Sequence, residues 1–182
     1  MSAQGTALGA AEDVLVVPPE GSDCRWVCLH TRPKREKKLY DACQDLGVNA
    51  YLPLRVSVKT YAKSRAMSRV PYFSGYVFVC GSPFNLSDLF CSGHVANVLE
   101  PDNQEKLVRD LRQVEQALQV SQGLETYPYI KRGRRVRIKR GPFRGVEGIV
   151  SKRRSKFRVV LNVDFIQKAL AVEVDADAVE PV

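Results

Sequence analysis

Apolar and polar residues alternate from Ala50 to Val58, with Ala50, Leu52, Leu54, Val56 and Val58 on one side and Tyr51, Arg55, Ser57 and Lys59 on the other. A period of two predicts a half-buried strand. Trp26 to His30 is a shorter apolar run that predicts another strand, and Tyr72 to Val79 is too apolar for a surface loop and predicts a central one. Elsewhere the period lengthens. Leu39, Cys43 and Leu46 recur at helical spacing before Gly47, and Thr31-Arg32-Pro33 marks the helix start, because proline is tolerated in a first turn where no N–H partner is needed. The basic segment Thr60 to Arg69 predicts a protruding hairpin. A short amphipathic stretch, Asn85 to Phe90, leads to a strand at Val95 to Leu99. Residues 101–105 then open a helix with a capping-box carboxylate, and Leu107, Leu111, Val114 and Leu118 give it one buried stripe.

The predicted order is β-α-β-β-β-α-β-α, an α+β domain of antiparallel sheet and flanking helices over residues 25–120. Residues 1–24 hold small and acidic residues with no sustained period and predict a flexible extension. Residues 121–128, with Gly123, predict a linker. From 129 to 182 the period of two returns at Arg135 to Arg140, Phe157 to Val163 and Leu170 to Val174, and short strands at this spacing predict a small five-stranded β-barrel.

Charge is unevenly distributed along the chain. The net charge is +8, yet residues 1–127 hold 14 Lys/Arg against 14 Asp/Glu, whereas residues 128–182 hold 14 against 6. Within the first part, residues 25–69 carry 11 basic and 3 acidic groups, and residues 88–127 carry 3 and 7. Such segregation points to a polyanionic partner on one face, with a solvated charged surface as the plainer reading.

Five cysteines, Cys24, Cys28, Cys43, Cys80 and Cys91, include no CxxC pair, and the histidines are His30 and His94, so neither a metal site nor a cofactor is expected. Cys28 and His30 share a strand face as nucleophile and base candidates, but no third group is evident to orient them, and no catalytic residue is assigned. No apolar run reaches the roughly 18 residues of a membrane span. The N-terminus lacks a basic segment followed by an apolar one, so a cytoplasmic protein is expected.

The run Gly133-Arg-Arg-Val136-Arg-Ile138-Lys-Arg-Gly141-Pro142-Phe143-Arg-Gly145-Val-Glu-Gly148-Ile-Val150 resembles the KOW motif of NusG-type factors and of certain ribosomal proteins. Gly141-Pro142 suits a tight turn, Gly145 a conformation costly to other residues, and Gly148 a bend. Trp26 to Lys38, Tyr51-Leu-Pro-Leu54 and Tyr72-Phe-Ser-Gly-Tyr-Val-Phe-Val79 resemble the NusG N-terminal domain in order and spacing. Several landmarks look closest to specialised paralogues of the RfaH, LoaP and capsule-regulator type. Where the family usually has Phe-Pro-Gly-Tyr, this chain has Phe73-Ser74-Gly75-Tyr76.

The resemblance implies a non-enzymatic, monomeric transcription elongation and antitermination factor with no membrane association, which bridges the clamp of the largest RNA polymerase subunit and suppresses pausing. It implies polymerase-binding roles for Tyr72, Phe73, Tyr76 and Phe78; by alternation Tyr72, Tyr76 and Phe78 lie on one strand face and Phe73 on the other. Arg32, Lys34, Arg35, Lys38, Lys63, Arg65 and Arg69 become candidates for the non-template DNA strand, since Arg and Lys suit phosphate contact. Val163, Phe165 and Ile166 become the surface for a small-subunit ribosomal protein or Rho. Lys152, Arg153, Arg154, Lys156 and Arg158 form a basic hairpin beside it. A housekeeping factor assisting Rho, and a ribosome-associated RNA-binding KOW protein, are the alternatives. The β-branched alternation and the glycines favour strands in the free C-terminal domain, with Asp164 to Val174 the segment best suited to helix.

Overall fold

A computed structural model of the chain describes residues 15, 23–61, 64–121, 123–130, 133–153 and 156–182. The fold is α+β. Strand β1 (Arg25–Thr31) leads into helix α1 (Glu36–Asp45), and strands β2 (Asn49–Tyr51), β3 (Leu54–Tyr61), β4 (Ser64–Pro71) and β5 (Tyr76–Gly81) follow. Helix α2 (Pro83–Cys91), strand β6 (Val95–Leu99) and helix α3 (Gln104–Val120) complete the first half. Among the described residues the regular elements of the second half are strands and two 3-10 turns, the strands being β7 (Glu125–Pro128), β8 (Arg135–Ile138), β9 (Glu147–Arg153), β10 (Lys156–Val163), β11 (Lys168–Val174) and β12 (Val179–Pro181).

The first sheet has the order β2-β5-β1-β6 and is antiparallel at each pairing. Trp26, Cys28, Phe78 and Cys80 point into the core shared with α3, whereas Val27, Leu29, Val77 and Val79 point into the core built with α1 and α2. Both faces are covered, which is why β1 and β5 read as continuous apolar runs rather than as alternation.

The expected strand over residues 50–58 is two elements. It breaks at Leu52-Pro53, so four strands rather than three lie between α1 and α2. Beyond the break β3 pairs with β4 in a separate two-stranded sheet, from Leu54↔Pro71 to Tyr61↔Ser64. Val56 (46% exposed) and Val58 (54%) therefore face solvent. Their alternation records a projecting hairpin, not a half-buried strand. The first helix also begins later than expected, at Glu36. Residues 32–35 form a turn in which Lys34 takes φ +59°.

Helix α3 is capped by Asn103, whose side chain accepts the Lys106 N–H at 2.8 Å, so the expected capping box is replaced by a simple N-cap. Gln104 has another task. Its amide accepts the Trp26 N–H at 2.9 Å and donates to the Trp26 carbonyl at 2.8 Å, continuing the ladder beside β1 where pairing with β6 has ended at Cys28↔Leu99.

The C-terminal strands form a six-stranded sheet of order β12-β8-β9-β10-β11-β7. Where a small five-stranded barrel was expected, this sheet is not closed among the described residues, and β7, in the segment expected as linker, is an edge strand paired to β11 from Glu125↔Ala171 to Pro128↔Lys168. Polar contacts, not an apolar period, help to hold β7. Arg158 on β10 is buried, with Nη2 2.6 Å from Glu173 Oε1 and 3.4 Å from Glu125 Oε2, and its guanidinium lies 5.7 Å from the Tyr127 ring centre. Arg158 thus belongs to the sheet and not to a free basic hairpin; the side chains from Lys152 to Lys156 lie outside the described residues.

Gly141 and Gly145 take φ +85° and +91°, as the turn they flank requires. Gly148 serves close approach rather than a bend. A Cβ there would lie 2.5 Å from the Val160 carbonyl oxygen and 2.7 Å from Val159 Cγ1. Gly148→Ala is therefore expected to destabilise the chain by about 1–3 kcal/mol, the usual cost of overpacking. Urea unfolding measures it, and an unchanged midpoint would contradict the close approach.

Candidate functional site

The aromatic run enters β5 through a turn. Phe73, Ser74 and Gly75 reverse the chain, with Gly75 at φ +86° and the Tyr76 N–H donating to the Phe73 carbonyl at 3.1 Å. This turn brings Phe73 to the same core as Phe78, their rings edge-on with centres 6.0 Å apart. The expectation that Phe73 lies on the opposite face fails because regular alternation begins only at Tyr76. Tyr72 (4% exposed), Phe73 (2%) and Phe78 (0%) are interior, and only Tyr76 is partly open.

Tyr76 stands beside His30, ring centres 5.3 Å apart, and a Cβ on Gly75 would sit 3.6 Å from the imidazole. The Glu36 carboxylate accepts the Gly75 N–H at 2.9 Å, and the Gly75 carbonyl accepts the Thr31 N–H at 2.8 Å. The turn is thereby fixed to the start of α1. The Tyr72 phenol meets the backbone of Leu124, so the connection between the two sheets lies over it. Burial pushes that phenol above its ordinary range.

Next to this rim lie Arg32, Lys34, Arg35 and Lys38, all exposed, in the turn before α1 and in its first turn. Arg35 occupies the N-cap without a side-chain cap, leaving backbone N–H groups of α1 facing the same end as these cations. A helix start of this kind suits a phosphate. The second basic element is the hairpin: Arg69 is exposed opposite Val56, Arg65 is paired by backbone with Thr60, and Lys63 lies outside the described residues.

In the C-terminal sheet Val163 and Ile166 are buried in the core and Phe165 is partly open, packed against the same core, within the 3-10 turn Asp164–Ile166. This turn is occupied. The Asp164 N–H donates to the Asp110 carboxylate of α3 at 3.2 Å, Lys106 Nζ lies 2.5 Å from Asp164 Oδ2, and the Glu147 N–H donates to Gln113 Oε1 at 2.7 Å. Burial pushes the Asp110 carboxyl up to about 6; the Asp164 N–H opposes that rise, the Asp164 charge adds to it, and Lys106 and Arg109 oppose it. The single buried stripe expected of α3 leaves this face out, although Lys106, Asp110, Gln113 and Ala117 recur at i, i+4, i+7 and i+11.

The catalytic candidates separate. Cys28 is fully buried and its thiol is pushed far above the ordinary range by burial, while His30 is exposed against Tyr76. Among the described residues no three His, Cys, Asp or Glu side chains are grouped to hold a metal, and no helix is long and apolar enough to cross a membrane.

A family model described as transcription termination factor nusG matches residues 24–128, from the start of β1 through β7. No curated protein matches the chain.

The different depths of the aromatics lead to different mutant behaviour. Phe78→Ala is expected to cost about 3–5 kcal/mol as a fully buried truncation. Tyr76→Ala, at the partly open rim, is expected to cost much less. Urea unfolding of the two variants checks this, and equal destabilisation would contradict the placement of Tyr76 at the surface.

Proposed function

Because the chain belongs to the NusG family of transcription factors, we propose that it binds RNA polymerase across the clamp of the largest subunit and acts as an operon-specific elongation and antitermination factor. It makes and breaks no bond. The reading rests on the family match across residues 24–128. The polymerase contact centres on Tyr76 and its neighbour His30, with Phe73 and Phe78 supporting the rim from beneath and Tyr72 bared when the connection at Leu124 moves aside. A tyrosine at such a rim suits a surface that is apolar and partly wet.

Arg32, Lys34, Arg35 and Lys38 at the start of α1, with Lys63, Arg65 and Arg69 of the hairpin, hold the phosphates of the exposed non-template strand. The C-terminal sheet is a KOW-type domain, and its turn around Phe165, between Val163 and Ile166, receives a small-subunit ribosomal protein or Rho once it leaves α3.

RNA polymerase elongation complexes are expected to retain the tagged chain after ribonuclease treatment, and to release it when Tyr76 is replaced by Ala. Release on RNA digestion would instead favour a ribosome-associated RNA binder. Replacing Lys63, Arg65 and Arg69 by Ala is expected to flatten the log–log salt dependence of binding by about 0.7 for each single-strand phosphate that is no longer neutralised. An unchanged slope would return these side chains to a solvated face.

A further inference from the structure

Two carboxylates meet one ammonium where α3 receives the C-terminal sheet. Asp110 lies one helical turn beyond Lys106 on α3, and Lys106 is ion-paired to Asp164 of the facing turn. Asp110 accepts the backbone N–H of that same Asp164. Tyr129 reaches Asp164 from the C-terminal half and bonds to its side chain, and Arg109 adds a cation on the α3 side. One turn further along α3, Gln113 accepts the Glu147 N–H. The interface thus brings two acids together, only one of which is ion-paired to Lys106.

We infer that the Lys106–Asp110–Gln113 face of α3 is a proton-gated binding surface for the Asp164–Ile166 turn, with Asp110 as the gate. Like charges at a partly desolvated contact disfavour double ionisation. When the halves separate, Asp110 returns to water and to its ordinary carboxylate range. In the docked state burial raises it to about 6. The docked form therefore binds the proton more tightly. Docking draws full support from this group below the ordinary carboxylate pKa, and that support is lost as the pH rises through about 6. A neutral Asp110 still accepts the Asp164 N–H through its carbonyl oxygen, so protonation removes the repulsion and keeps the hydrogen bond. The turn carries Phe165, so the gate also controls access to that side chain, whichever partner takes it; the gate does not depend on polymerase binding.

The intact chain, labelled with 13C and 15N, is titrated from pH 7.5 to 4 by NMR. The Asp110 carboxyl carbon is expected to titrate near 6, with the Asp164 and Glu147 amides following the same midpoint. The docked-to-open ratio is expected to rise by at most about tenfold for each pH unit lowered. Asp110→Asn is expected to abolish this pH dependence while keeping the two sheets tumbling together at pH 7.5. A wild-type Asp110 midpoint near 4, amides that do not follow it, or an Asp110→Asn chain with the wild-type profile would each overturn the inference. The wild-type titration decides the question even where the variant fails to fold.

Discussion

Helix α3 serves two sheets at once, and the arrangement of the molecule depends on that double duty. Its buried residues Leu107, Leu111, Val114 and Ala117 share one core with Trp26, Cys28 and Phe78 of the first sheet and with Val136, Val159 and Leu161 of the second. Lys106, Asp110 and Gln113 supply polar contacts to the C-terminal half. The helix is fixed lengthwise at its start, where Asn103 caps it and Gln104 substitutes for a strand partner of Trp26. Removing an N-cap side chain typically costs about 1 kcal/mol. Here such a change would loosen the element on which both halves are seated.

This constraint bears on function. A helix that covers one face of the first sheet turns most of the aromatic run into interior, leaving Tyr76 and His30 at the rim beside the basic turn. Under the proposed polymerase reading, recognition then works through a small, rigid aromatic edge fixed by Glu36 and Gly75. The projecting hairpin extends the reach of the domain without drawing on its core. Its exposed Val56, Val58 and Met67 show how little of it is buried.

Where the core alone decided the structure, the sequence was readable: the helix stripe at Leu107, Leu111 and Val114, the strand at Val95 to Leu99 and the alternation of Val136 with Ile138 all stand in their expected elements. Leu118 yielded its fully buried place to Ala117, because the helix is covered on two sides. The failures share a different cause. Strand β7 is held by Arg158, Glu125 and backbone pairing, which leave no apolar period. The reversal at Phe73 depends on a glycine at positive φ, which alternation does not register. The isolated hairpin mimics a core strand because β-branched residues also suit an exposed ladder. For the candidate site, the basic turn and the Asp164–Ile166 turn could be located from residue type, whereas the tie of the Asp164–Ile166 turn to α3 required two distant segments to be brought together.

The shared seating on α3 is tested most directly by hydrogen–deuterium exchange at the Glu147 and Asp164 amides of the full chain, whose acceptors are the α3 side chains Gln113 and Asp110. Slow exchange is expected at both amides in the wild type, and rapid exchange at Glu147 when Gln113 is replaced by Ala. Exchange at unprotected rates in the wild type would contradict it.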